Sequence, residues 1–490
     1  MACRFLATAI ITMVGVPGRS KGCITCRQRR KGCGLEKPTC LQCTKAGLKC
    51  GGYDAPRVFV VSTPDSRHPG YSLKATTTAP QPPSALWHRI QRNQVSGEIA
   101  NLRLLARPEE QRRCIHLFWE AYFPSGQPIP LNLIRSYTCT WTETARKLYK
   151  EEESLRYALW ANCLLVTGNQ YGATWMVKEA SILYGKALSG LRASLESSQG
   201  AKRSALIATV KLLGMFEAFS RQPDSGETAN HPPSWQRHHA GELALFIART
   251  PLAHISGDAH HVFADERVEM ALSSILRRRR LVLSTPEWKA IPWQHIPKDM
   301  KDILVDVLIE MPGLVEDLDE MRSSSEDDLE RREDLRLQLA RKCWGYHRDL
   351  LSWLDLLNRI VQPPDGSPCP DAKPKSPGPK DVVTHIAQVH GMSLFWLTSL
   401  VLYSVLRMVC GSEEILPERA DPIYHARRLV EAINALMRPE AGLYGRQSAT
   451  LQIEVATEYI IEMDPSSEES EALLTTLKSL RSDRELRLQL

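Results

Sequence analysis

From about residue 86 onward, apolar positions recur at helical spacing and prolines punctuate the gaps. The rhythm predicts helices over Glu109–Phe123, Ser154–Asn169, Met176–Leu195, Ser204–Ser220 and Asp265–Leu281. It predicts more over Met300–Met321, Glu326–Val361, Val382–Val409, Pro422–Met437 and Leu451–Glu462. Strand-like alternation is confined to Asp334–Leu339 and its echo, Glu485–Leu490. The expectation is a large all-α domain over residues 86–490, long enough for a substantial core and for two lobes.

Other stretches lack this rhythm. Residues 363–380 are dense in Pro, Gly, Ser and Lys and read as a disordered insertion. Residues 54–85 read as a flexible linker, ending Pro80-Gln-Pro-Pro-Ser84. Leu86, Ile90, Ile99, Leu102 and Leu105 keep no heptad register, and Gly97 interrupts them, so no coiled coil is expected there. The chain then acts as a monomer or as a homodimer paired through the helical domain. Leu394–Leu406 is apolar but shorter than the ~20 residues of a membrane span, so it reads as a buried helix and no membrane partner is expected. Residues 1–18 read as an extension. Their Ala7-Thr8-Ala9 triplet lies inside the apolar run and not after it, which argues against a signal peptide, and Met13 is an alternative start.

Cysteine spacing changes the picture. Cys23, Cys26 and Cys33 are followed by Cys40, Cys43 and Cys50, each triplet with two and then six residues between its members. A C-x-x-C pair holds a metal in a tight turn, and zinc takes four ligands at about 2.3 Å from each sulfur. Six thiolates serve one ion with two idle, or two ions if two sulfurs bridge. The duplication favours two ions, with the equivalent Cys23 and Cys40 as bridges. Three disulfides are the rival in an oxidising compartment, with fifteen connectivities. A copper(I) thiolate cluster is another rival.

Charge then points to a partner. Arg19 to Cys50 carries nine cationic residues against the single carboxylate of Glu36, a net +8, whereas the whole chain is only +6. Positive charge so concentrated on a metal module suits phosphate neutralisation and counterion release, which makes double-stranded DNA the expected partner. The first half holds Arg27, Arg29, Arg30 and Lys31, and the second only Lys45 and Lys49, so the first half is the expected reader. A short helix over Thr25–Lys31 would align Arg27, Arg30 and Lys31 on one face. Lys21 and Lys45 join them as candidate DNA contacts.

Gly22 to Cys33, with Lys37-Pro-Thr-Cys40 and Cys50-Gly-Gly-Tyr53, resembles the fungal binuclear zinc-cluster transcription factors over residues 22–53. The resemblance implies two zinc ions shared by six cysteines, the first and fourth bridging. It implies reading of a CGG-like triplet in the major groove, with Arg30 at the base-reading position, Arg29 beside it and Arg27 at a phosphate-contacting one. Gly32 and Gly34 depart from the pattern, which often has lysine and aspartate there. The helical array resembles, more loosely, the regulatory region of such proteins.

The remaining features have plainer readings. Arg277–Arg280 is a nuclear import signal or the cationic last turn of a helix, and Arg19–Lys31 is a second import candidate. His238-His239 with Glu242, and His260-His261, read as solvated or capping groups. Cys114, Cys139, Cys163, Cys343 and Cys410 read as small core residues. The acidic run Asp464–Glu471 is either a contact for transcription machinery or co-regulators, or a loop leading to a helix N-terminus. No HExxH, GxxxxGK[ST] or GxSxG motif occurs, and no enzyme is expected. The function expected is a zinc-dependent DNA-binding regulator of RNA polymerase II transcription in the nucleus. The alternative is a metal-responsive interaction protein that does not read DNA.

Overall fold

The structure is a computed structural model that describes residues 23–36, 39–51, 107–126, 140–196, 204–220, 234–324, 329–361, 379–410, 416–463 and 467–486. The chain divides into two compact units, residues 1–80 and 81–490. Among the described residues, the first holds two five-residue helices, α1 (Ile24–Gln28) and α2 (Leu41–Lys45), each opening one residue after the first cysteine of its triplet. The linker, residues 363–378 of the insertion, residues 1–18 and Cys139 lie outside the described residues, whereas Pro379 and Lys380, read from the sequence as the end of the insertion, open α14.

The second unit is built of helices, and the described residues contain no strand. Its first half comprises α3 (Pro108–Tyr122), α4 (Trp141–Leu148), α5 (Glu153–Gln170), α6 (Thr174–Glu196), α7 (Ser204–Ser220), α8 (Ser234–Arg249) and α9 (Gly257–Leu276). Then come α10 (Pro286–Ala290), α11 (Met300–Leu308), α12 (Met311–Ser323), α13 (Leu329–Val361), α14 (Pro379–Cys410), α15 (Pro422–Leu436), α16 (Gly442–Met463) and α17 (Glu468–Leu486). One continuous core runs from Phe118 and Trp141 through Phe263 and Leu304 to Leu400, Ile433 and Ile460.

Several differences from the sequence reading have physical causes. The predicted 300–321 helix is two helices, because Pro312 lacks the amide a continuous helix needs and instead opens α12. A reciprocal capping box starts α11: Asp299 accepts from the Asp302 amide at 2.9 Å, and Asp302 accepts from the Asp299 amide at 3.2 Å. The alternating Asp334–Leu339 stretch lies inside α13, where Leu339 is buried and Leu337 is 42% exposed. Tertiary packing overrides its strand-like pattern there. The α14 segment Val382–Cys410 has the length and composition of a membrane span, yet 78% of its most apolar window is buried within the unit.

The largest surprise is α9, which carries charge into the interior. Asp265, Glu266 and Arg267 are each at most 1% exposed. Lys211 of α7 reaches Glu266 at 2.7 Å and Glu269 at 3.0 Å. Asp265 accepts from the Trp141 amide at 3.1 Å and pairs with Lys301 at 3.3 Å, and Arg267 lies 4.3 Å over the Trp293 ring. Each buried charge therefore has a partner, as desolvation demands.

The histidines expected as solvated or capping groups need correction. His238 meets Glu217 at 2.9 Å and Tyr184 at 3.2 Å, and His239 is half-buried beside Glu242 and Glu269. His260 is fully buried and bonds to the carbonyls of His254 and Pro292. The Arg277–Arg280 run follows α9, and its side chains are engaged. Arg278 forks onto Asp319 at 2.7 and 2.8 Å and also reaches Glu462. Arg279 and Arg280 pair with Glu316, and Arg280 also with Asp317. Each of these side chains is thus engaged with a neighbouring helix or with the end of α9.

Candidate metal centre

The repeat in the sequence becomes a repeat in the backbone, with an offset of 17 residues. Cys23 and Cys40 precede their helices, and each sulfur accepts the amide three residues on, from Cys26 and Cys43, at 3.4 Å. After each helix the chain closes through one wide turn, Lys31 amide to Cys26 carbonyl at 3.1 Å and Leu48 amide to Cys43 carbonyl at 2.9 Å. The turning residues are Arg30 and Gly47, both left-handed, at φ 53° and 65°. These turns bring the chain back for the third cysteine of each half.

The four C-x-x-C sulfurs meet in the middle. All lie within 4.8 Å of one another, and Cys23, Cys26, Cys40 and Cys43 are at most 1% exposed. The cross-half spacings are Cys23–Cys40 3.6 Å, Cys23–Cys43 3.7 Å, Cys26–Cys40 3.6 Å and Cys26–Cys43 3.9 Å. A tetrahedron with zinc–sulfur bonds of about 2.3 Å has edges of about 3.8 Å. The donor set therefore fits zinc in both chemistry and size. Cys33 and Cys50 are half-buried against this core, and the Cys23 amide donates to Cys33 Sγ at 3.3 Å. Without a metal, burial pushes the Cys43 thiol up to about 12 and raises Cys26 too, so a bound cation is what favours the thiolates at neutral pH.

Two contacts shape the ends of the halves. Thr25 Oγ1 joins one half to the other: it donates to the Lys49 carbonyl at 3.1 Å and accepts from the Gly51 amide at 2.9 Å. Glu36, the module's single acid, accepts from the Leu41 amide at 3.0 Å and satisfies the open end of α2. Its carboxylate occupies the space that a side chain at Gly34 would need, so a residue larger than glycine there would have to displace it.

Arg29, Arg30, Lys31 and Lys45 are exposed. Lys21 and the Arg27 side chain lie outside the described residues. The expected helix over Thr25–Lys31 is shorter, because α1 stops at Gln28 and Arg30 turns left-handed. Arg30 and Lys31 therefore leave the helical face of Arg27 and project from the turn that follows it.

Residues 21–57 match the fungal Zn(2)-Cys(6) binuclear cluster domain. The module is a fungal zinc-cluster domain. Two proteins of Emericella nidulans are similar to parts of the chain that carries it. The aspercryptin biosynthesis cluster-specific transcription regulator is 56% identical over 39 residues, 8% of this chain and 6% of that protein. An uncharacterized protein is 28% identical over 154 residues, 29% of this chain and 31% of that protein. The chain thus aligns with less than a third of either relative's length. No solved structure matches the chain.

Proposed function

We propose that the chain is a nuclear, sequence-specific DNA-binding transcription factor of the RNA polymerase II system, whose zinc-cluster domain reads a CGG-like triplet. The observation that carries this reading is the union of a zinc-sized thiolate core with the exposed Arg29, Arg30 and Lys31 on the turn beside it. Two zinc ions fill eight ligand positions with six sulfurs. Cys23, Cys26, Cys33, Cys40, Cys43 and Cys50 would hold the two ions, with two of the six sulfurs shared.

In this account zinc supplies the folding energy of a segment too short to hold a core of its own. Arg30 presents its planar fork to a guanine edge, which offers two acceptors in the major groove. Arg27, Lys21, Lys31 and Lys45 neutralise phosphates and set the register without reading sequence. Residues 86–490 form the regulatory domain, 54–85 the linker, and co-regulators or the transcription machinery are the protein partners.

Chelation tests the reading. Removing zinc from the full chain abolishes duplex binding, and zinc, but not magnesium, restores it. Duplex binding that survives chelation refutes it. Zinc binding without any duplex affinity supports the metal-responsive interaction protein instead.

A further inference from the structure

Helix α7 begins at Ser204 and α8 ends at Arg249, and packing brings these two residues together. Arg249 Nη2 donates to Ser204 Oγ at 3.3 Å. Ser204 is half-buried and sits at the positive end of a 17-residue helix. Arg249 is 8% exposed, and its Nε and Nη1 have no hydrogen-bond partner among the described residues.

This guanidinium differs from the buried cations around α9. Lys211, Arg267 and Lys301 each meet a carboxylate. Arg249 meets a neutral hydroxyl instead. Burial lowers its pKa, and no carboxylate offsets that shift. His254, which feels its charge, is no counter-ion, because burial lowers that imidazole to about 4 and keeps it neutral. The C-terminus of α8 answers the charge only in part, since a helix end carries about half a charge. A desolvated cation without an anion destabilises the fold, and an anion placed beside it relieves that penalty. In the sequence, Lys202 and Arg203 directly precede Ser204, and residues 197–203 contain no acid.

We propose that Ser204 is a phosphorylation site for a protein kinase that recognises basic residues ahead of its target, and that Arg249 receives the phosphate. ATP supplies the group. The Ser204 Oγ–P bond forms as the bond from the γ-phosphorus to the β,γ-bridging oxygen breaks, ADP leaves, and the hydroxyl proton passes to the kinase's base. The phosphate is then tethered beside the guanidinium and needs no channel into the interior. It carries about −1.5 to −2 charge and three acceptor oxygens, and it pins the start of α7 to the end of α8. The site lies within the helical unit and stands whether or not the zinc-cluster domain reads DNA.

The test compares the full chain carrying phosphoserine encoded at position 204 with the unmodified chain. The phosphorylated chain is expected to melt about 2–4 °C higher. In phosphorus NMR its phosphate should titrate at about pH 5, against about 6 for an unpaired phosphoserine. Both effects should vanish in Arg249→Met, which replaces an unpaired buried charge with an apolar chain and so keeps the fold. With ATP, cyclic-AMP-dependent protein kinase or protein kinase C should label Ser204 of the native chain, as mapped by mass spectrometry. The proposal is overturned if the phosphorylated chain melts no higher, if its phosphate titrates at the ordinary value, or if Arg249→Met keeps both gains. Absence of label from Ser204 with both kinases overturns it equally.

Discussion

Arg30 and Gly47 occupy equivalent places in the two halves of the zinc-cluster domain, and both turn the chain with a positive φ, 53° and 65°. Glycine adopts that conformation freely, whereas a residue with a Cβ pays about 1 kcal/mol. The second half uses the unstrained residue, and the first tolerates strain to place a guanidinium on the turn. Arg30→Gly is therefore expected to strengthen the zinc-loaded fold by about 0.5–1 kcal/mol while sequence preference on DNA is lost. Chelator-competition midpoints and specific-to-random binding ratios measure the two effects. A variant that is less stable, or that keeps its preference, counts against this assignment.

Gly47→Ala puts the same strain into the second half without gaining a functional group. The expected cost is about 1 kcal/mol in the chelator midpoint, with sequence preference unchanged. A change of preference would show that the second half also reads DNA.

Thr25 joins the first helix to the end of the second half through two hydrogen bonds, to Lys49 and from Gly51. Thr25→Val keeps the shape and removes both, leaving two backbone groups in need of water. A loss of about 1–2 kcal/mol in zinc-dependent stability is expected. Unaltered resistance to chelation would mean that the metal alone joins the halves.

In the helical unit, Glu242 is 1% exposed, and burial pushes its carboxyl up from 4.5 to about 8. Its folded state holds a proton that the unfolded chain releases above pH 4.5. Its contribution to stability is therefore complete below pH 4.5 and is lost as pH rises through 8. Glu242→Gln, neutral at every pH, should match the wild type near pH 4.5 and exceed it by on the order of 4–5 kcal/mol at about pH 8.5. Parallel melting curves for the two proteins across that window would contradict the assignment.

Lys211 is the cation among these acids, 3% exposed and within 3.0 Å of Glu266 and Glu269. Lys211→Met leaves their charge buried and unanswered, a cost of about 3–5 kcal/mol. The loss should be smaller at low pH, where carboxylates that have lost the lysine take up protons and shed their buried charge. Calorimetric melting at about pH 5 and about pH 8 separates this from a simple packing defect, which would be independent of pH.

The metal site was legible in the sequence because its ligands are close along the chain and their spacing is periodic. The helices were legible wherever an apolar stripe was regular, as in Ser204–Ser220. Shorter or more polar helices, such as Trp141–Leu148 and Ser234–Arg249, escaped because their burial comes from distant partners. The pairing of Lys211 with Glu266 joins residues far apart in the chain and leaves no local trace. The left-handed turn at Arg30 was equally hidden, since only the glycine at the matching place in the second half hints at it.

The most direct measurement is selection of the zinc-loaded full chain on a library of random duplexes. Enrichment of a short motif containing a CGG-like triplet, lost in Arg30→Ala and kept at lower affinity in Lys45→Ala, is the predicted result. No enriched motif, or the same proportional loss in both variants on specific and random DNA, would contradict the claim that this cluster reads sequence.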